Sequence, residues 1–299
     1  MGMFLATFSK PAQSPATLLA KLQAQGLIVH DHKLAFQYLN FVGHYRLKGY
    51  WYQLVDPVSK CFKPGVSFEM IRDRYEFDRE IRAMILEAAE RLEVAVRGAI
   101  CNYLSLKHSP HWYLDPTSSS RCVSLVWDKC CRRSKAKSGA LVTSILSMPT
   151  SRNTTTLYLP PSWVMSECVT LGMWSRTFKI LRDPGDKKAI AAKFGTLQVE
   201  VFESWLHTLS VLRNMAAHHD RFLMRKLSVA PRNHKALNLT FADNKSVYAA
   251  LTVIHVLLDS IGFASALRER LVFVQKTYGA GLMQELGFPN QWPKGAEGW

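Results

Sequence analysis

Several common chemical devices are missing from this sequence of 299 residues. Its six cysteines, Cys61, Cys101, Cys122, Cys130, Cys131 and Cys168, form none of the Cys-x-x-Cys pairs with later Cys or His pairs that a zinc site needs, so neither a metal nor another cofactor is expected. There is no Gly-x-Gly-x-x-Gly or phosphate-loop pattern, no internal repeat, and no alternating strand pattern beyond four or five residues, which leaves a mostly α fold. No run of about 18 uninterrupted apolar residues occurs, and Met1 to Ser14 lacks a basic flank followed by an apolar core, so no membrane partner is expected. The chain reads as cytoplasmic, with reduced thiols. Acidic residues are also scarce. Twenty-three carboxylates face 38 basic side chains, giving a formal charge of +15. An excess of that size favours polyanions through counterion release, and nucleic acid is the first partner to consider, although charge speaks to partners and not to fold.

What the sequence does have is apolar content, 48%, enough for a real core. The spacing predicts a helix from the Ser14-Pro15 start to Gly26, a second over His32 to Val42, and a very long helical signal from the Ser67 cap to Leu106. In that signal Ile71, Ile81, Met84, Ile85, Ala88, Leu92, Val96 and Ile100 trace an apolar stripe; its length predicts two helices or one bent one. Between helices, Gly43 to Tyr52 alternates aromatic and basic residues, suited either to packing a helical hairpin or to stacking on bases. An irregular insert at about 108–161 carries the basic run with Arg132, Arg133 and Lys135, either solvated surface or a guide for an RNA backbone. Helical segments near Trp163 to Gly172 and Trp174 to Leu181 follow, the latter stopping at Asp183-Pro184-Gly185. A helix from Val199 to about Arg225, a loop from Ser228 to Asn244, a helix or helix pair over Val247 to Phe273, and a weakly structured tail complete the pattern. The expected division is an N-terminal helical region 1–60, a helical domain 61–275 containing the insert, and a tail 276–299.

The most informative run is Arg213-Asn214-Met215-Ala216-Ala217-His218-His219-Asp220-Arg221, which continues the apolar period of Phe202, Trp205, Leu206, Leu209 and Leu212. On a continuous helix Asn214, His218 and Arg221 would share a stripe, with Arg213 roughly 140° from His218. The residue types suit RNA cleavage without a metal. Imidazole, with an ordinary pKa of about 6.5, can take the 2′-hydroxyl proton or protonate the leaving 5′-oxygen. A guanidinium matches phosphate bidentately and stabilises the charge building on phosphorus. His218 is the candidate base or acid, Arg213 the phosphate ligand and Asn214 the orienter of the imidazole. His219 and Arg221 are candidate RNA contacts, and Glu93 and Arg97 candidate supports. The plainer alternative is a structural polar network at a helix junction, but burying such groups unpaired costs several kcal/mol, which favours a cleft.

The same run resembles the Arg-Asn-x-x-x-His signature of HEPN ribonucleases, and specifically the abortive-infection AbiD/AbiF-like family. Three further stretches agree in order and spacing: Phe41 to Trp51, Phe77-Asp78-Arg79-Glu80-Ile81-Arg82 through Glu90 to Arg97, and Ser166 to Gly172. The combination, spanning about Pro15 to Arg225, is what is specific. Where relatives often have a Trp-Asn pair after the final Arg, this chain has Phe222-Leu223-Met224, and its insert is rich in Ser, Thr and Lys. The resemblance implies a HEPN-like helical bundle, phage-defence or toxin activity, and a composite site formed when two copies of the Arg-x-x-x-x-His helix face each other. It implies catalytic roles for Arg213, Asn214 and His218.

The expected function is therefore a homodimeric, metal-independent endoribonuclease, its partners RNA and an antitoxin, itself an RNA or a protein. The alternative is an RNA-binding HEPN protein without cleavage activity. A nucleotidyl transferase lacks its usual paired carboxylates and Gly-Ser motif here, and a DNA-binding helix pair near Leu18 to Leu39 carries few basic residues.

Overall fold

Capping side chains set where the first helices begin. Ser14 accepts the Thr17 amide at 3.1 Å and Pro15 follows as the first residue of the helix Pro15–Ala24, as the cap-then-proline pattern predicts. That helix closes in a Schellman turn: the Leu27 amide donates to the Leu22 carbonyl, the Gly26 amide to the Gln23 carbonyl, and Gly26 takes a φ of +90°. Asp31 caps His32–Tyr38 by accepting from the Leu34 amide, after which a π-turn over Leu39–Gly43 leads into His44–Trp51. The computed structural model describes residues 11–115, 161–196, 198–262, 266–294 and 299. Among these the protein is mostly helical, with isolated bridges and no strand, and no helix is long and apolar enough to cross a membrane. Arg132, Arg133 and Lys135, the basic residues of the predicted insert, lie outside the described residues.

The chain forms two compact units, divided between Glu80 and Ile81. In the first, Leu47, Tyr50, Trp51, Phe62 and Phe68 are buried. The Tyr50 hydroxyl donates to Asp78 at 2.8 Å and Arg74 donates to the Tyr50 carbonyl, so the polar edges of this aromatic core are satisfied. The aromatic-basic stretch thus divides residue by residue. Tyr50 and Trp51 pack, whereas Phe41, Tyr45 and Tyr52 are 83%, 92% and 74% exposed.

The second unit is built on the C-terminal part of one helix, Phe68–Lys107, whose 40 residues span about 60 Å at the usual rise. It is one continuous helix, not two, because no proline and no competing cap interrupts its charged positions. Ile81, Met84, Ile85, Ala88, Leu92, Val96, Ile100 and Leu104 are all buried, the stripe expected from the spacing. The helix Val199–Ala217 packs mainly on Leu171–Ile180 and also on Val247–Ser260. Between them Phe202 stands perpendicular to Phe178 at 5.0 Å and stacks on Phe194 at 4.9 Å, while Trp205 donates its indole N–H to the Arg232 carbonyl at 2.9 Å.

Three segments differ from the sequence expectation. Asp183-Pro184-Gly185 does not only stop a helix. It starts the next, Pro184–Ala192, with Asp183 accepting the Gly185 amide at 2.7 Å and Pro184 as first residue. Asp186, fully buried, accepts from Lys107 at 2.6 Å and from His108 at 2.8 Å, which ties this helix to the end of the long one. The hydrogen bonds that Lys107 donates to Asp183 and then Asp186 hold its ammonium above the ordinary lysine range. Secondly, the stretch near Trp163 is a short helix, Ser162–Met165, then a 3-10 turn, Ser166–Cys168, and the next helix begins at Leu171. Thirdly, the tail is packed: Met283, Leu286, Phe288 and Trp292 are buried, and Trp299 stacks on His255 at 4.6 Å while its indole donates to Thr252.

Candidate functional site

The helix that carries the central run ends at Ala217, earlier than the predicted Arg225. His218 is its C-cap, and the turn is a Schellman closure: the Asp220 amide donates to the Met215 carbonyl at 2.8 Å and the His219 amide to the Ala216 carbonyl at 3.1 Å. Met215 and Ala216 are followed seven residues later by Phe222 and Leu223, all four buried. The apolar period therefore persists across the helix end, which is why spacing alone extends the helix. Arg221 consequently lies beyond the helix and off the stripe expected to join it to Asn214 and His218.

The closing position of that turn, which Gly26 fills in the first helix, is held here by His219 at φ +59°. A left-handed conformation costs a non-glycine residue on the order of 1 kcal/mol and persists where the surroundings over-determine it. Phe222 and Leu223, both fully buried, are those surroundings, because they pull the chain back into the core directly after the turn. In unfolding experiments His219→Gly should be more stable than His219→Ala by about 1 kcal/mol, both having lost the same imidazole. Equal stabilities would remove the strain argument.

Arg213, on the last two turns of the helix, is held from two sides. Its Nε lies 3.9 Å from Glu93 Oε2 on the long helix, and its Nη1 donates to the Asn214 side-chain oxygen at 3.4 Å. Glu93 also lies 3.8 Å from Arg97, whose Nη1 donates to Glu167 at 2.5 Å. Charges alternate along Arg213, Glu93, Arg97 and Glu167. Glu93 and Arg97, at 15% and 17% side-chain exposure, are the sheltered middle of this chain, whereas Glu167 at its far end is 54% exposed; Glu93 is the charge set against the guanidinium of Arg213. Arg213 itself stays 38% exposed, open to a ligand. The structure thus brings Glu93 to Arg213, and Arg97 to Glu93.

Asn214 and His218 are exposed one helical turn apart, the His218 amide donating to the Asn214 carbonyl at 2.9 Å. The Asn214 side chain meets Arg213 and not the His218 ring, which has no hydrogen-bond partner among the described residues. Asp220 pairs with Arg225 at 3.3 Å, a surface contact worth little. Two residues escaped the sequence reading. Glu167 lies in a stretch matched only as a whole, and its partnership with Arg97, 70 positions away, has no local signal. His207 is exposed seven residues before Asn214 on the same helix face, a spacing that could have nominated it; it lines a cavity of about 430 Å³ with Arg176, Lys179 and Arg232. Among the described residues no three His, Cys, Asp or Glu side chains gather as a metal ion would require.

A sequence-family profile described as Abi-like protein matches residues 37–224, which takes in the long helix, Glu93, Arg97 and Glu167, and the run from Arg213 to Arg221. No curated protein and no solved structure gave a match.

Proposed function

Because the chain belongs to the Abi-like protein family, we propose that it serves in phage defence as a metal-independent endoribonuclease of the HEPN type. The observation that carries this reading is the pairing of a buttressed, accessible Arg213 with an exposed His218 at the end of the same helix. In the proposed reaction the 2′-oxygen of the RNA attacks phosphorus and the bond to the 5′-oxygen breaks. An imidazole takes the 2′-hydroxyl proton and another gives one to the leaving oxygen, leaving a 2′,3′-cyclic phosphate and a 5′-hydroxyl. Arg213 donates to the non-bridging phosphate oxygens as charge builds there.

Among the described residues of one chain His218 has no partner to orient its ring, and the proposed reaction uses two imidazoles. A second copy with its Arg213 and His218 facing the first supplies both, so the active form is a symmetric homodimer. The formal charge of +15 supports RNA as substrate and also as a restraining antitoxin.

The purified protein should cut RNA in EDTA, run at twice the mass of one chain, and lose specific activity on dilution below the dimer dissociation range. Cleavage that needs added metal, or undiminished cutting by a strict monomer, would overturn the reading. Protein that dimerises and retains RNA through purification, shown by a high 260 to 280 nm absorbance ratio, yet leaves it uncut, would select the binding-only alternative.

A further inference from the structure

The first unit holds a cavity of about 350 Å³ that the proposed ribonuclease chemistry does not use. Its walls come from three places: Lys21 on the first helix; His44, Lys48, Trp51 and Tyr52 from the segment after the π-turn; and the turn carrying Asp56, Lys60 and Phe62. Three lysines face one aspartate, a net of two positive charges. Asp56 is committed to its own turn: one carboxylate oxygen accepts the Val58 and Ser59 amides, the latter at 2.7 Å, and the Ser59 hydroxyl. Lys60 donates to the Pro57 carbonyl. Lys21 and Lys48 have no hydrogen-bond or ion-pair partner among the described residues, so their charge is left for something else.

The aromatic side of the cavity is graded from buried to open. Trp51 is 5% exposed and lies edge-on to Phe62 at 6.0 Å and to His44 at 5.2 Å, forming a fixed floor. Tyr52, 74% exposed, stands at the rim with an open ring face. Burial first, then Lys48 and Lys21, hold the His44 imidazole below its ordinary range, which favours its neutral form.

We propose that this cavity binds one nucleotide, its phosphate received by Lys21 and Lys48 and its base by the aromatic rings of Tyr52 and Trp51. Unpaired cations beside an open ring face recognise an anion joined to a planar ring. The volume falls in the range of small-ligand pockets, about 300–1,000 Å³. The nucleotide is either free or one residue of an RNA strand, since both present the same phosphate and base.

The test is calorimetric titration of the full-length protein with the four ribonucleoside 5′-monophosphates, inorganic phosphate and a uridine hexanucleotide. Lys48→Ala and Tyr52→Ala, both at exposed side chains, serve as variants. The parent should bind a monophosphate or the hexanucleotide more tightly than inorganic phosphate. Each substitution should weaken that binding about tenfold, through loss of a charge-assisted contact or of stacking. Binding of monophosphates identifies a free nucleotide as ligand; a variant-sensitive response to the hexanucleotide alone identifies a strand. No binding of either, or binding indifferent to both substitutions, would overturn the proposal. Because the cavity shares no residue with the Arg213 and His218 site, either outcome leaves the ribonuclease reading to its own experiment.

Discussion

Replacing His218 with alanine should lower RNA cleavage by about a thousandfold, the middle of the range for a lost general acid or base, with no change in fold. The imidazole is exposed and makes no hydrogen bond among the described residues. Meanwhile the backbone amide that closes the helix onto Asn214 is retained by alanine. Unfolding of the variant should therefore superimpose on the parent. Arg213→Ala should behave differently. It removes a charge aimed at the transition state, worth about 3–4 kcal/mol in comparable sites, and also leaves Glu93 short of one of its two cations. Loss of both activity and some stability is expected there, against loss of activity alone at His218. Mapping the ends of RNA from cells expressing the parent and the His218→Ala form reads the chemistry directly: cyclic phosphate and 5′-hydroxyl ends should vanish in the variant. Parent-level cutting by His218→Ala in EDTA would sink the catalytic assignment.

A large effect on stability is expected at Trp205, whose fully buried indole projects from the site helix onto the loop that carries Arg232 and His234. Trp205→Ala should destabilise by about 3–5 kcal/mol, the usual range for deleting a large core aromatic. Much of that comes from a cavity that the surrounding helices cannot close. The loop would also lose its anchor, because the Arg232 carbonyl accepts from the indole. Trp205→Phe keeps a six-membered ring and loses that bond and a smaller volume, so about 1–2 kcal/mol is expected. Denaturant unfolding followed by circular dichroism separates the two. Similar losses for both substitutions would mean that the hydrogen bond, and not the ring volume, carries the effect.

Helix identity was legible because it depends on neighbours a few residues apart. The cap at Ser14, the proline after it and the buried stripe from Ile81 to Ile100 are local facts, and the structure follows them. Helix ends were less legible where two local signals compete. Asp183-Pro184-Gly185 carries both a stop and a start, and burial of Asp186 against Lys107 and His108 is what makes the start productive. The packed tail was hidden for a similar reason. Its glycines and prolines read as irregular, yet Trp299 finds its place only against a helix formed some forty residues earlier, and Trp292 packs in turn on Phe288 and Trp299.

By itself the sequence determined the helical class, the excess of positive charge and the nomination of Arg213, Asn214 and His218. Composition and short-range periodicity are written in the order of residues. Only the tertiary structure decided that the helix ends at Ala217, that His219 takes the conformation glycine takes at Gly26, and that Glu93, Arg97 and Glu167 form one chain of charge behind Arg213. The helix end depends on the return of Phe222 and Leu223 to the core, and the charge chain joins residues on separate elements. Neither is encoded by spacing along the chain. Both follow from which buried surfaces meet, which is settled only when the whole unit packs.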